Sequence, residues 1–128
     1  MAGCTCGCGE TLLLFACSGC ADVGEISDRV ARKMTREGHG SMACLAGIGG
    51  DVSGIVASAR GADRLVTIDG CPLVCARKTL EAKDLSPAVA LTLTDMGLTK
   101  GSSPASEDNV RLIFEKCVEA VKQTGRDR

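Results

Sequence analysis

Short apolar runs alternate with amphipathic segments along this chain of 128 residues. Runs of this length predict strands that are buried on both faces. They lie at residues 11–16, 41–45, 64–69 and 88–93. An amphipathic or helix-forming segment follows each run, so the predicted order is βαβαβαβα. We therefore expect a single small Rossmann-like α/β domain, with a parallel four-stranded sheet and helices on both faces.

Turn and cap residues set the expected helix ends. Helical spacing from Val23 to Met34 predicts the first helix, which Gly38 and Gly40 should stop. A glycine-rich loop at residues 46–54 should lead into a short helix near residues 54–60. Pro72 is expected at the first position of a helix that runs to about Lys83.

The last helix has the clearest amphipathic pattern. Ser106 can cap its start. One face of this helix is then an apolar stripe that should pack on the sheet, made of Val110, Ile113, Phe114, Cys117, Val118 and Val121.

Composition narrows the classes of function. The chain is 45% hydrophobic and 24% charged, and its formal net charge is −1, which is ordinary for a globular domain. Without a basic excess, and with Phe15 and Phe114 as the two aromatic residues, we expect no nucleic-acid binding. No apolar run approaches the roughly 20 residues that span a bilayer, so no membrane segment is expected.

Nine cysteines are the unusual feature of the composition. The N-terminus lacks a basic region followed by a long apolar stretch, so we expect no secretory signal and a cytoplasmic location. Thiols stay reduced there, which favours metal or thiol chemistry over disulfides. Residues 1–10 are expected to form a flexible tail with Cys4, Cys6 and Cys8, and the domain should span residues 11–125.

Five cysteines lie where predicted strands end, namely Cys17, Cys20, Cys44, Cys71 and Cys75. In open parallel sheets these ends meet at one edge, where ligands bind. Cys71 and Cys75 are four residues apart, which would place both sulfurs on one side of a helix. Zn²⁺ prefers such thiolates in a tetrahedron. Cys117 lies on the apolar stripe of the last helix, where a buried small residue is the simpler interpretation.

The segment Ile68-Asp69-Gly70-Cys71-Pro72-Leu73-Val74-Cys75 resembles the DGC domain family of zinc-binding proteins, which is named for Asp-Gly-Cys. Residues 16–29, 42–52 and 93–97 resemble further segments of that family in the same order. The resemblance implies a zinc-binding domain with four chelating cysteines, Cys17, Cys44, Cys71 and Cys75. Local spacing leaves an alternative open, because Cys17 and Cys20 form a CxxC pair that could replace Cys44.

Two other chemistries compete with zinc binding. Cys71 and Arg77 form a Cys-x5-Arg pattern, as in cysteine-dependent phosphatases and arsenate reductases, and Asp95 could act as general acid. Pro72 removes one backbone N–H that such an anion-binding loop needs. In the simpler interpretation Arg77 is a solvated helix charge, and Asp69 accepts backbone hydrogen bonds in a turn.

Cys17 and Cys20 could also form the redox pair of a thiol–disulfide oxidoreductase, although the other cysteines at that edge exceed what such a site needs. Four protein ligands would close the zinc shell and leave no position for a substrate. This favours a structural or metal-handling role over catalysis by zinc.

Overall fold

A computed structural model describes residues 10–126, and residues 1–9 of the predicted tail lie outside that range. The strands are β1 (Leu12–Ala16), β2 (Ser41–Met42), β3 (Arg64–Asp69) and β4 (Val89–Thr92). The helices are α1 (Asp22–Arg36), α2 (Leu45–Gly49), α3 (Ser53–Gly61), α4 (Cys75–Glu81) and α5 (Glu107–Arg126), with a 3₁₀ helix at Leu93–Met96. None of the described helices combines the length and apolarity needed to cross a bilayer.

The four strands form one parallel sheet in the order β2-β1-β3-β4. Successive side chains of β1 point to opposite faces, which explains its unbroken apolar sequence. Leu14 packs in a core with α1 and α5, and Phe15 packs in a second core with α2, α3 and α4. The predicted α/β fold with helices on both faces is confirmed.

Two predicted elements have different bounds. The predicted second strand ends early, because Cys44 is the N-cap of α2 and its sulfur accepts a hydrogen bond from Gly47 N at 3.3 Å. The predicted glycine-rich loop therefore contains a helix. Gly47 fits there because any Cβ would collide with Ile55 of α3.

The start of α4 is the clearest error of the sequence prediction. Pro72 lies in a turn closed by a 3.1 Å hydrogen bond from Val74 N to Cys71 O, and the helix begins at Cys75. Val74 has a φ of 45°, in the left-handed region, which breaks the helical path before Cys75. Cys71 and Cys75 therefore do not lie on one helix face.

The connections before α5 and after α1 each hold one side chain in place. Ser106 Oγ accepts a hydrogen bond from Asn109 N at 3.1 Å and caps α5 as predicted. His39, in the loop after α1, is half-buried. Its ring packs edge-on against Phe114, with ring centroids 5.6 Å apart.

Candidate metal centre

The Asp-Gly-Cys segment connects β3 to α4, and Asp69 fixes it in place. The buried carboxylate accepts hydrogen bonds from Ala76 N at 2.7 Å and Arg77 N at 3.1 Å. Burial raises the pKa of Asp69 above its usual value, while these two hydrogen bonds and the charge of Arg77 oppose the rise. The sequence analysis interpreted Asp69 as an acceptor for backbone amides, and these two hydrogen bonds confirm it. Its role is to hold the first turn of α4.

Gly70 is required because the chain passes against the backbone of α1. A Cβ at Gly70 would lie 2.7 Å from the carbonyl carbon of Val23 and 2.9 Å from Gly24 N. Gly24 in turn approaches the loop after β1, since its own Cβ would lie 2.7 Å from Gly19 N. The loops that follow β1 and β3 are thus packed onto one short stretch of α1, and their cysteines are held at the same edge of the sheet.

Cys17 follows β1 directly and extends its pairing with β3. Its amide donates to Ile68 O at 3.1 Å, and its half-buried sulfur lies 3.3 Å from Ser27 Oγ. Ser18 has a φ of 52° and donates from Oγ to Asp28 at 2.8 Å. Contacts with α1 therefore fix the sulfur of Cys17 and the backbone turn that follows it.

Cys44 follows β2 and faces the same cavity as Cys17. This cavity has a volume of about 810 Å³ and opens between the ends of β1 and β2 and the helices α1, α2 and α4. Thr79 of α4 also lines it, and Cys75 lies one helical turn before Thr79. Cys17 and Cys44, two of the four predicted ligands, thus line one cavity, and Cys75 lies on a helix that borders it.

Cys71 does not line this cavity. It is half-buried and packs against the core formed with α1 and α5. Lys100, from the loop after the 3₁₀ helix, donates from Nζ to its sulfur at 3.7 Å. Cys75 is exposed at the first position of α4.

The donor chemistry suits zinc, since soft thiolates are preferred ligands of this ion. Their arrangement does not form a closed site: across residues 10–126, no three His, Cys, Asp or Glu side chains converge closely enough to hold a metal ion. The structure brings the predicted ligands to one edge of the sheet without gathering them around one point.

The remaining described cysteines differ in exposure. Cys20 is exposed just before α1, while Cys117 is buried in the core as expected. Desolvation by burial raises the pKa of Cys117 to about 12.

We expect Cys117 to resist alkylation as long as the protein is folded. A rise in pKa from 9.0 to about 12 lowers the thiolate fraction near pH 8 by about three orders of magnitude, and the thiolate is the reacting form. Pulsed labelling of chelator-treated protein with iodoacetamide, mapped by mass spectrometry, should therefore modify Cys20 and Cys75 in buffer but Cys117 only in denaturant. Equal labelling of Cys117 in both conditions would contradict its placement.

The residues of the phosphatase-like pattern do not converge. Arg77 forms an i,i+4 salt bridge with Glu81 at 3.0 Å on the solvent-exposed side of α4, as expected of a solvated helix charge. Asp95 is exposed in the 3₁₀ helix that follows β4. The structure thus places neither residue in contact with the sulfur of Cys71.

Two contacts of the site were not found from the sequence. Ser27 is buried beside Cys17. The two residues are ten positions apart in the sequence and meet because the chain turns back into α1 after Cys17. Lys100 reaches Cys71 across 29 residues, and no local motif signals that contact.

Comparisons with known proteins identify the family of this chain. A model of the DGC domain matches residues 13–117. The anaerobic and virulence modulator AnvM of Pseudomonas aeruginosa is 37% identical over 105 residues, which are 80% of this chain and 80% of that protein. No solved structure matches the chain significantly. Since the family model covers well over half of its length, the chain belongs to the DGC domain family.

Proposed function

We propose that this protein binds one Zn²⁺ through the thiolates of Cys17, Cys44, Cys71 and Cys75, in a structural or metal-handling role. The observation behind the proposal is the position of the cysteines relative to the sheet. Three neighbouring parallel strands, β2, β1 and β3, are each followed within two residues by a cysteine. Chance placement would scatter thiols over helices and strand interiors.

The surrounding structure supports thiolate chemistry at this edge. Asp69 and Gly70 hold the loop that presents Cys71, and Gly47 N donates a hydrogen bond to the sulfur of Cys44. Binding would bring the thiolates closer together than the structure places them, so metal uptake would be coupled to local folding. Four protein ligands would leave no open position for a substrate.

The cellular role that we propose is regulatory. AnvM is named an anaerobic and virulence modulator, and a thiolate-bound metal is a chemically reasonable element of a regulator. We place the protein in the cytoplasm, where its thiols would stay reduced.

Elemental analysis of the isolated protein, combined with a thiol count before and after chelation, tests the proposal. We expect about one zinc per chain, with a binding free energy on the order of 10–16 kcal/mol as for other structural zinc sites. Chelation should expose additional reactive thiols and lower the melting temperature. Identical melting and thiol reactivity with and without metal would contradict zinc binding.

A set of variants separates a metal centre from an enzyme. Cys75→Ser should lower metal content and stability together, because Cys75 is a proposed ligand. A phosphatase would instead tolerate Cys75→Ser and lose turnover of phosphate esters or arsenate on Cys71→Ser or Arg77→Ala. Turnover of either substrate by the wild-type protein at ordinary enzyme rates would contradict the proposal.

A further inference from the structure

The sulfur of Cys71 has a cationic neighbour that comes from a distant part of the chain. Lys100 Nζ lies 3.7 Å from Cys71 Sγ and donates a hydrogen bond to it. Two other basic residues near the predicted ligands, Arg32 and Arg77, are each bound to a carboxylate of their own helix at 2.7 and 3.0 Å. Lys100 has no such salt bridge within residues 10–126.

The loop that holds Lys100 is anchored to the start of α1. The carboxylate of Asp22 accepts hydrogen bonds from Gly101 N at 2.9 Å, Ser103 N at 3.0 Å and Val23 N at 2.8 Å. The Gly101 hydrogen bond, together with the others, holds the pKa of Asp22 below its usual value, although desolvation opposes this. Asp22 therefore remains an ionised acceptor at neutral pH and keeps Lys100 next to the sulfur.

The same stretch of α1 also supports the cysteine loops. Asp22 lies two residues after Cys20, and Gly24 and Val23 contact the loops after β1 and β3. The loop that holds Lys100 and the loops that hold the cysteines are thus anchored to the same stretch of α1, so the fold sets the backbone position of Lys100 relative to Cys71.

We propose that Lys100 is the charge-compensating residue of the thiolate centre and that Asp22 is its positioning residue. This inference rests on the zinc-binding function proposed above. A zinc ion with four thiolates carries net negative charge, and the ammonium group of Lys100 offsets part of that charge at Cys71. In this way the lysine favours retention of the metal without being a ligand.

The first test measures local charge at Cys71. Iodoacetate and iodoacetamide both react with thiolate, so the ratio of their rates cancels the thiolate fraction and reports the field that acts on the anionic reagent. Rates at each cysteine are read by peptide mass spectrometry after chelation. Lys100→Met should lower this ratio at Cys71 about fourfold, the size expected for one unit charge ~5 Å away in water, and leave the ratio at Cys75 unchanged.

Matched variants show that the effect comes from the lysine and its loop. Lys122→Met removes an exposed lysine of α5 and should change neither ratio. Asp22→Ala keeps Lys100 but releases its loop, so the ratio at Cys71 should fall towards that of Lys100→Met. Lys100→Arg should preserve the ratio, and circular dichroism checks that each variant is folded.

The second test measures zinc affinity by competition with a chelator. Lys100→Met should weaken binding about tenfold, which is ~1.4 kcal/mol, and Lys100→Arg should stay within about threefold of the wild type. If the wild-type chain binds no zinc, the proposed function is wrong. If Lys100→Met leaves the alkylation ratio at Cys71 unchanged, or leaves zinc affinity unchanged in a chain that binds zinc, the role of Lys100 is wrong.

Discussion

Gly70→Ala should destabilise the protein by about 3 kcal/mol, the upper end of the usual cost of overpacking. The new Cβ would lie 2.7 Å from the carbonyl carbon and 2.8 Å from the carbonyl oxygen of Val23. These are backbone atoms inside α1, which cannot yield as a flexible side chain can. Relief requires the Asp-Gly-Cys segment to move away from the helix, so the free energy of unfolding in urea should fall.

Gly54→Ala is the matched control, because the same methyl group is added where space is open. No heavy atom lies within 4 Å of a Cβ at Gly54, which is exposed in α3. Alanine is preferred to glycine inside a helix, so this variant should gain up to ~1 kcal/mol of stability. Similar effects of the two substitutions would contradict the close approach of Gly70 to α1.

The strands could be predicted from the sequence because short, continuous apolar runs are typical of strands that are buried on both faces of a sheet. Residues 64–69 form β3 with the predicted bounds, and every residue of that strand is buried. A strand covered on both faces needs no polar alternation, and the amphipathic segments between strands supply the covering helices. The order of the elements then requires the parallel sheet.

Local signals failed where tertiary contacts decide the backbone. The glycines after Cys44 suggest a loop, yet Gly47 belongs to a helix because its small size lets α2 pack on Ile55. Pro72 suits the first position of a helix, but Asp69 accepts the amides of Ala76 and Arg77 and so defines a later start for α4. The contact of Gly47 with Ile55 cannot be read from the local sequence, and the sequence indicates Asp69 as an acceptor of backbone amides without indicating which amides it binds.

In the candidate site, too, the topology could be predicted from the sequence but the tertiary contacts could not. Cysteines after strands could be assigned to one edge of the sheet from topology alone. The contact between Lys100 and Cys71 could not, because it depends on Asp22 holding a loop some 80 residues further along the chain. The separation of Cys71 from the helix face of Cys75 could not be predicted either, since it follows from the left-handed turn at Val74.

Cys44→Ala should weaken zinc retention by at least about a hundredfold, or ~2.7 kcal/mol, and increase the reactivity of the remaining thiols. Cys44 faces the same cavity as Cys17, at the ends of adjacent strands β2 and β1. Its loss would remove one of the four proposed thiolates and leave the zinc ion with three protein ligands instead of the four that structural sites have. Retention is measured by chelator competition, and thiol reactivity by a timed thiol count.

Cys20→Ala is the matched control, since it removes a thiol three residues from Cys17 in a CxxC pair. Cys20 is exposed and does not line the cavity that Cys17 and Cys44 share. Its loss should therefore change retention by less than tenfold, or ~1.4 kcal/mol. If Cys20→Ala instead weakened retention more than Cys44→Ala, Cys17 and Cys20 would be the chelating pair. Cys44 would then serve only as the N-cap of the five-residue helix α2, a role that can be lost without loss of metal.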